Sequence, residues 1–296
     1  MTRKSNGREA ASMKRKVLCL CLLSAFVFGL LPPPGSGKTT VPKKYDLVLI
    51  HGFNNRHQWG YEFLNRLARS WGSGNVYVVY SNSSMKVWSM PVQGKRVIMM
   101  GAKNHQAGND SIEEQARVIS RKISILQKQY GLGKNYYILA HSMGGLVARR
   151  LVYMRPGEVV DLVTLGTPHQ GTPLAKEYEW LGMFVNGQEG IKDVTPEAVA
   201  RFNRRFPVEK SPFFQDGKLY TIAGDADGWG DRGWKGELAV GWTLLTLKYH
   251  TDSDGVVEEG KATLPGAYHV KTFWHLNHLE LIQSPLVAEF VSKLLP

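Results

Sequence analysis

Two spacings of apolar residues alternate along the chain from residue 45 onward. Residues 45–50 (YDLVLI) and 75–80 (NVYVVY) are short runs rich in β-branched, aliphatic and aromatic side chains, which predict buried strands. A helical stretch at 57–71 separates them. Ser111 opens a longer helix, and Glu114 three residues on completes a capping-box pattern. Within that helix Ile112, Ala116, Val118, Ile119, Ile123 and Leu126 recur at helical spacing. Further strands are predicted at 136–140, 159–165, 219–223 and 267–273, with helices at 143–153 and 282–295. Strand and helix in repeated alternation imply an α/β fold: a mostly parallel sheet of about six strands with helices on both faces. In such sheets ligands sit beyond the carboxyl ends of the strands, so the residues just after each strand are the place to look for chemistry. The stretch at about 173–216 breaks the alternation between two strands and reads as an insertion. No internal repeat or low-complexity linker is present.

The N-terminus has a different pattern. Residues 1–16 carry six Lys/Arg and one Glu. Residues 17–31, VLCLCLLSAFVFGLL, form an uncharged apolar run that Pro32-Pro33-Pro34 ends, followed by Gly35-Ser36-Gly37. A basic start, a short apolar core and a small-residue exit predict a secretory signal peptide over 1–37, leaving 38–296 as one domain. The run is shorter than the roughly 20 residues of a membrane-spanning helix; an uncleaved anchor is the alternative. Both cysteines, Cys19 and Cys21, lie in this segment, so the secreted chain would have no disulfide. They sit near the start of the apolar run, whereas a lipoprotein needs its cysteine at the end. Removing the net +5 of residues 1–16 lowers the formal charge from +12 to about +7. That mild excess excludes nucleic acid as an expected partner and fits retention on anionic polymers or lipids. Basic pairs such as Arg121-Lys122 and the run from Arg201 to Arg205 read as solvated helix faces. Gly35-Ser36-Gly37-Lys38-Thr39 imitates a phosphate-binding loop, but Pro32 stands where that motif needs glycine and no strand precedes it.

The strand ends carry a consistent chemistry. His51-Gly52-Phe53 follows the first strand and Ser142 the third. Gly166-Thr167-Pro168-His169-Gln170-Gly171 follows the fourth. Asp252-Ser253-Asp254-Gly255 comes after the fifth, and His275, Asn277 and His278 after the sixth. A serine hydroxyl needs a base to become a nucleophile, and the base needs a carboxylate to fix its tautomer. Ser142, an acid and a histidine occur in that order, each after a strand, which is the order of the α/β-hydrolase arrangement. Ala140-His141-Ser142-Met143-Gly144 departs from G-x-S-x-G only by one methyl at Ala140. His278 is the preferred base because its loop enters the last helix, with His275 as its alternative and His269 inside a strand. Asp254 is the preferred acid, with Asp252 and Asp225 as alternatives. The backbone N–H groups of Phe53 and Met143 are the expected oxyanion donors.

Leu49-Ile50-His51-Gly52-Phe53, AHSMGG, LVTLGTPHQGTPLA (162–175), SDGVV (253–257) and NHLEL (277–281) together resemble secreted bacterial triacylglycerol lipases. Val194-Thr195-Pro196-Glu197 through Arg201-Phe202-Asn203 to Pro207 is similar to a stretch of the Pseudomonas/Burkholderia type, and the elbow alanine to the small Bacillus lipases. The resemblance spans about 45–283. It implies an α/β-hydrolase fold lacking the first two strands of larger members and Ser142, Asp254 and His278 as the triad. The expected substrate is a lipid or ester at an interface, and the expected enzyme is a monomer that needs no cofactor for its chemistry. The family's structural calcium would fall on Glu280, where Asp is usual, with Asp231 as a loosely spaced partner; its disulfide has no counterpart. Trp180, Leu181, Met183, Phe184 and Val185 in the insertion read either as a helix packed on the sheet edge or as a lid. Trp229, Trp234 and Trp242 read as core or rim. The alternatives are another acyl-ester enzyme on the same fold (a phospholipase, polyester depolymerase or acyltransferase) and a non-catalytic binding protein, which would lack a triad member.

Overall fold

Alternate residues of the first strand face two different cores. In a computed structural model that describes residues 43–53, 59–103, 107–176, 188–226 and 237–296, β1 (Asp46–Ile50) is buried along its whole length. Leu47 and Leu49 enter one apolar cluster, Val48 and Ile50 the other. This is the two-residue period of a strand covered on both faces. β2 (Val76–Val79) divides in the same way. So does β5 (Tyr136–His141), with Tyr137 and Leu139 on one side and Tyr136, Ile138 and Ala140 on the other.

The described strands form one eight-stranded sheet in the order β3-β4-β2-β1-β5-β6-β7-β8. Here β3 is Val87–Val92, β4 Lys95–Met100, β6 Val159–Leu165, β7 Leu219–Asp225 and β8 Tyr268–Trp274. Every pairing is parallel except β3 with β4. β1 therefore lies in the middle of the sheet, and no described strand precedes it. The helices are α1 (Tyr61–Trp71), α2 (Ile112–Gln129), α3 (Met143–Met154), α4 (Gln188–Asp193), α5 (Pro196–Arg205), α6 (Glu237–Tyr249) and α7 (Pro285–Leu294). On one face α1 and α7 supply Phe63, Leu67, Val287 and Val291. On the other α2, α3 and α5 supply Ile119, Ile123, Leu146, Leu151 and Val199. Each such side chain contributes about 1.5–3 kcal/mol when fully buried. A cap contributes about 1 kcal/mol, so the apolar pattern sets the layers and caps set the ends. Ser111 accepts from the Glu114 amide at 3.2 Å, as the capping box predicts.

The sheet has eight strands rather than about six because β3 and β4 were not foreseen. They form a hairpin whose two-residue turn, Gln93-Gly94, has φ of 42° and 78°, the conformation that suits tight hairpins. β3 is an edge strand, which is where Pro91 is tolerated. α6 was also unforeseen. The closing helix starts at Pro285, capped by Ser284, rather than at residue 282, where a short 3₁₀ turn (Glu280–Ile282) stands. α1 begins at Tyr61; the expected start at 57 lies outside the described residues, as does the proposed signal segment. Among the described residues no helix is long and apolar enough to cross a membrane.

The expected insertion lies between β6 and β7. Its α5 packs Val199 into the core, so this part is a helix on the sheet. Leu174 at its start packs against Leu245 of α6. Trp180, Leu181, Met183, Phe184 and Val185, and Trp229 and Trp234, lie outside the described residues. Trp242 donates its indole N–H to the Ala226 carbonyl at 3.1 Å.

One reading of the basic residues is corrected. Arg121 faces solvent beside Glu114, but Lys122 is fully buried. Position 122 lies three residues after Ile119 and four before Leu126, on the apolar face of α2. Burial lowers its pKa to about 8. Burial also raises the phenols of Tyr80 and Tyr137 from 10.0 to about 12. The two effects have opposite signs. The lysine's penalty is complete below about pH 8 and fades as pH rises toward its ordinary 10.5. The tyrosines' contribution is complete below pH 10 and is lost as pH rises toward 12. Thermal unfolding at stepped pH should therefore show steady or rising stability between pH 8 and 10 and a fall above it. The tyrosinate absorbance of the buried phenols should appear only with unfolding; full tyrosinate absorbance in a still-folded chain near pH 10 would contradict this.

Candidate active site

β5 turns directly into α3, and Ser142 occupies the turn. Its φ of 54° and ψ of −135° are rare for a residue with a side chain. Such a conformation costs about 1–3 kcal/mol and persists only where its surroundings enforce it. They do so here from three sides. The Ser142 amide donates to the Leu165 carbonyl at 2.9 Å, and its own carbonyl accepts from the Gly145 amide at 2.9 Å. The same carbonyl accepts the Thr167 hydroxyl at 2.8 Å. Crowding explains the glycine at 144: a Cβ there would stand 2.3 Å from the His51 carbonyl oxygen. The small residue at 140 is fully buried in the core and the methyl is accommodated. Ser142 itself is 8% exposed at the N-terminus of α3, where unpaired N–H groups and the helix dipole favour negative charge.

The acid and base come from the loops around β8. His278 Nδ1 and Asp254 Oδ2 are 2.7 Å apart, and both residues are almost wholly buried. The other carboxylate oxygen of Asp254 accepts the amides of Val256 and Val257 at 2.9 and 2.8 Å. The His278 amide donates to the Asp254 carbonyl at 2.8 Å, so the pair is tied through backbone as well as side chain. Gly166, with φ of 53°, lies against it: a Cβ there would stand 2.7 Å from Asp254 Oδ2 and 3.1 Å from His278 Nδ1. The pair meets the elbow through His141. The His141 ring lies 4.5 Å from the His278 ring, and its Nε2 is 2.9 Å from the His278 carbonyl.

The alternatives lie elsewhere, and His275 stands near enough to Asp225 for the two charges to interact. His269 lies in β8 near the hydroxyls of Thr221 and Thr272, at 3.2 and 3.0 Å. His275 has φ of 65° at the end of β8. Asp252 uses its carbonyl to accept the Glu259 amide. Asp225 ends β7, where burial and then the charges of Asp252 and Glu259 hold its carboxyl above the usual range. Met143 opens α3 directly after the serine. Phe53 follows Gly52, at which a Cβ would stand 2.7 Å from the Ser142 Cβ; the peptide joining them therefore lies beside the serine.

Glu280 Oε2 accepts the Asn277 amide at 2.9 Å, making it a cap for the turn after His278. Asp231 lies outside the described residues, and among the described residues no three His, Cys, Asp or Glu side chains gather as a metal site. The calcium pair implied by the resemblance therefore lies partly outside the described residues, and no step below uses it.

Three polar residues matter here that the sequence pattern did not single out for a role. Thr167 holds the Ser142 carbonyl. His169 is fully buried, its Nε2 2.9 Å from the Thr164 hydroxyl, and its carbonyl accepts Asn203, which in turn accepts Arg149. Burial and then the nearby Arg149 charge keep His169 neutral. His51 is also buried and neutral, its pKa lowered to about 4, mainly by desolvation. Its Nε2 accepts the Ser81 amide at 3.0 Å, so the ring proton sits on Nδ1, which donates to the Gly52 carbonyl at 2.7 Å.

A family model described as the PGAP1-like alpha/beta domain matches residues 103–198, about a third of the chain and including Ser142. The chain is 24% identical over 238 residues to a conditioned medium factor of Dictyostelium discoideum. That match covers 76% of this chain and 30% of the relative, so the chain spans less than a third of that protein's length. Among solved structures it is similar to the mature form of Bacillus licheniformis lipase BlEst2, with a TM-score of 0.61 at 18% identity over 90% of this chain and 96% of that one. It is also similar to lipase 1 of Pelosinus fermentans, with a TM-score of 0.53 at 12% identity over 86% and 98%. A metagenomic carboxyl esterase gives 0.52 at 14% identity over 90% and 78%. At such identities the likeness carries the fold: the chain has the α/β-hydrolase fold.

Proposed function

We propose that this α/β-hydrolase chain is a serine-dependent hydrolase of acyl esters. The observation that carries the proposal is the buried Asp254–His278 pair packed against His141, the residue before a serine held at positive φ at the start of α3. His278 takes the Ser142 proton as the hydroxyl attacks the ester carbonyl carbon. The N–H groups of Phe53 and Met143 hold the oxyanion, and Asp254 stabilises the imidazolium. The C–O bond to the alcohol breaks, and the alcohol leaves with the proton from His278. Water then attacks the acyl-enzyme by the same steps and releases the carboxylic acid. An oxyanion donor typically accounts for about 10²–10³ in turnover, so the backbone donors matter as much as many side chains.

Within this class we favour a secreted triacylglycerol lipase. The basic and apolar N-terminal pattern and the lipases and esterases among the solved structures of similar fold support that choice. The test compares emulsified long-chain triglyceride with a soluble short-chain ester. A lipase with a lid over its site shows a jump in rate as the triglyceride passes its solubility limit. Hydrolysis of the soluble ester with smooth saturation through that limit would leave an esterase and remove the lid. Absence of hydrolysis on both substrates would remove the ester-hydrolase reading.

A further inference from the structure

Lys122 is fully buried in α2, yet among the described residues no carboxylate pairs with it. Its ammonium donates to two backbone carbonyls, Tyr80 and Asn82, each at 2.6 Å. Burying an unpaired cation costs several kcal/mol even after relaxation, so a methionine of similar length would be the cheaper filler. The two carbonyls flank Ser81 in the segment that leaves β2. The Ser81 amide is the group that donates to His51 Nε2. His51 in turn holds the Gly52 carbonyl through Nδ1–H. The Gly52 carbonyl and the Phe53 N–H belong to one planar peptide and, in the trans form, point in opposite directions. Holding the carbonyl on the His51 side therefore directs the Phe53 N–H to the other side. This peptide lies against Ser142, as the 2.7 Å approach of a Cβ at Gly52 to the Ser142 Cβ requires.

We propose that Lys122 is a positioning residue for the oxyanion site, acting through the 80–82 segment and His51 on the Gly52–Phe53 peptide. The inference rests on the ester-hydrolase reading. It gives the buried charge a role that a neutral filler lacks. Protonated His51 would present N–H to the Ser81 N–H and release the segment, and the Lys122 charge opposes that protonation. The segment has a second tether: the Asn82 side chain accepts the Ala102 amide at 3.1 Å and donates to the Ala102 carbonyl.

The test uses the full chain with a soluble p-nitrophenyl ester and a trifluoromethyl ketone, whose tetrahedral adduct on Ser142 carries the oxyanion. Lys122→Met keeps the length and removes the charge. The expected result is a folded protein with kcat at least about tenfold lower, KM within about twofold, and ketone affinity reduced in parallel with kcat. Unchanged kcat and ketone affinity in folded Lys122→Met would overturn the proposal. So would a loss carried by KM, which would mark a general distortion of the pocket. Should Lys122→Met fail to fold, Asn82→Ala loosens the same segment without touching the charge. The same split between kcat and KM is expected there, more weakly, and its absence would overturn the proposal. Wild type and Ser142→Ala run beside these variants. If wild type hydrolyses no ester, the ester-hydrolase reading falls and takes this role with it. If wild type is active and Ser142→Ala is not, a normal Lys122→Met removes the positioning role alone.

Discussion

Ser142→Ala is expected to lower kcat on a soluble ester by about 10⁶-fold, the scale seen when a triad nucleophile is removed. The fold should survive, because the serine hydroxyl is not what holds the turn. The turn is held by backbone groups and by Thr167, all of which remain in the variant. A companion substitution separates chemistry from strain. Ser142→Gly removes the nucleophile and also the side chain that makes φ of 54° costly. Relief of about 1–3 kcal/mol outweighs the roughly 0.5–1 kcal/mol by which glycine favours the unfolded chain. The glycine protein should therefore melt higher than the alanine protein while both are inactive. Equal melting temperatures would contradict the strain at the elbow; retained turnover in either would contradict the nucleophile.

Asp254→Asn is expected to lower kcat by about 10⁴-fold with little change in KM, as in other serine hydrolases whose triad acid is amidated. The hydrogen-bond geometry gives the reason. One carboxylate oxygen accepts the amides of Val256 and Val257 and the other accepts His278 Nδ1–H. An asparagine has a single acceptor oxygen. If that oxygen stays on the two amides, the NH₂ faces His278 and forces the proton to Nε2, where it can no longer accept from serine. If the amide flips, its NH₂ meets the Val256 and Val257 N–H groups, leaving donors unpaired, at about 1–3 kcal/mol for the buried one. Asp252→Asn and Asp225→Asn serve as controls and should stay within about threefold of wild type, since neither carboxylate forms the bond to His278. A tenfold or smaller effect at Asp254, or a large one at Asp225, would move the acid elsewhere.

The candidate site was more legible in the sequence than the sheet edge. Ser142 follows β5, whose unbroken apolar run marks it as central, while His278 follows the edge strand β8 and Asp254 follows α6; what the sequence carried was the order of the three residues more than exact boundaries. The hairpin β3–β4 was missed because an edge strand is only half covered. Pro91 within the run argues against a strand, and its one clear turn signal is Gln93-Gly94. α6 was missed for the opposite reason: with Val240, Trp242, Leu244, Leu245 and Leu247 it is apolar around its circumference and has no polar face to set a period. Lys122 was misread by composition, since a lysine beside an arginine suggests solvent, although the helical spacing of its neighbours places it inside. The side-chain ties of His51 and Thr167 depend on contacts across the sheet, between residues 30 and 25 apart in sequence, and no local pattern encodes them.

The most direct measurement is reaction with a fluorophosphonate, followed by mass mapping of the adduct. A nucleophilic serine forms an Oγ–P bond as fluoride leaves, and the base that activates it for esters activates it here. The account predicts one equivalent of label on Ser142, loss of ester hydrolysis in proportion to labelling, and much slower labelling in Asp254→Asn. Ester hydrolysis that persists with Ser142 fully labelled, or a stoichiometric adduct on a different residue, would contradict it.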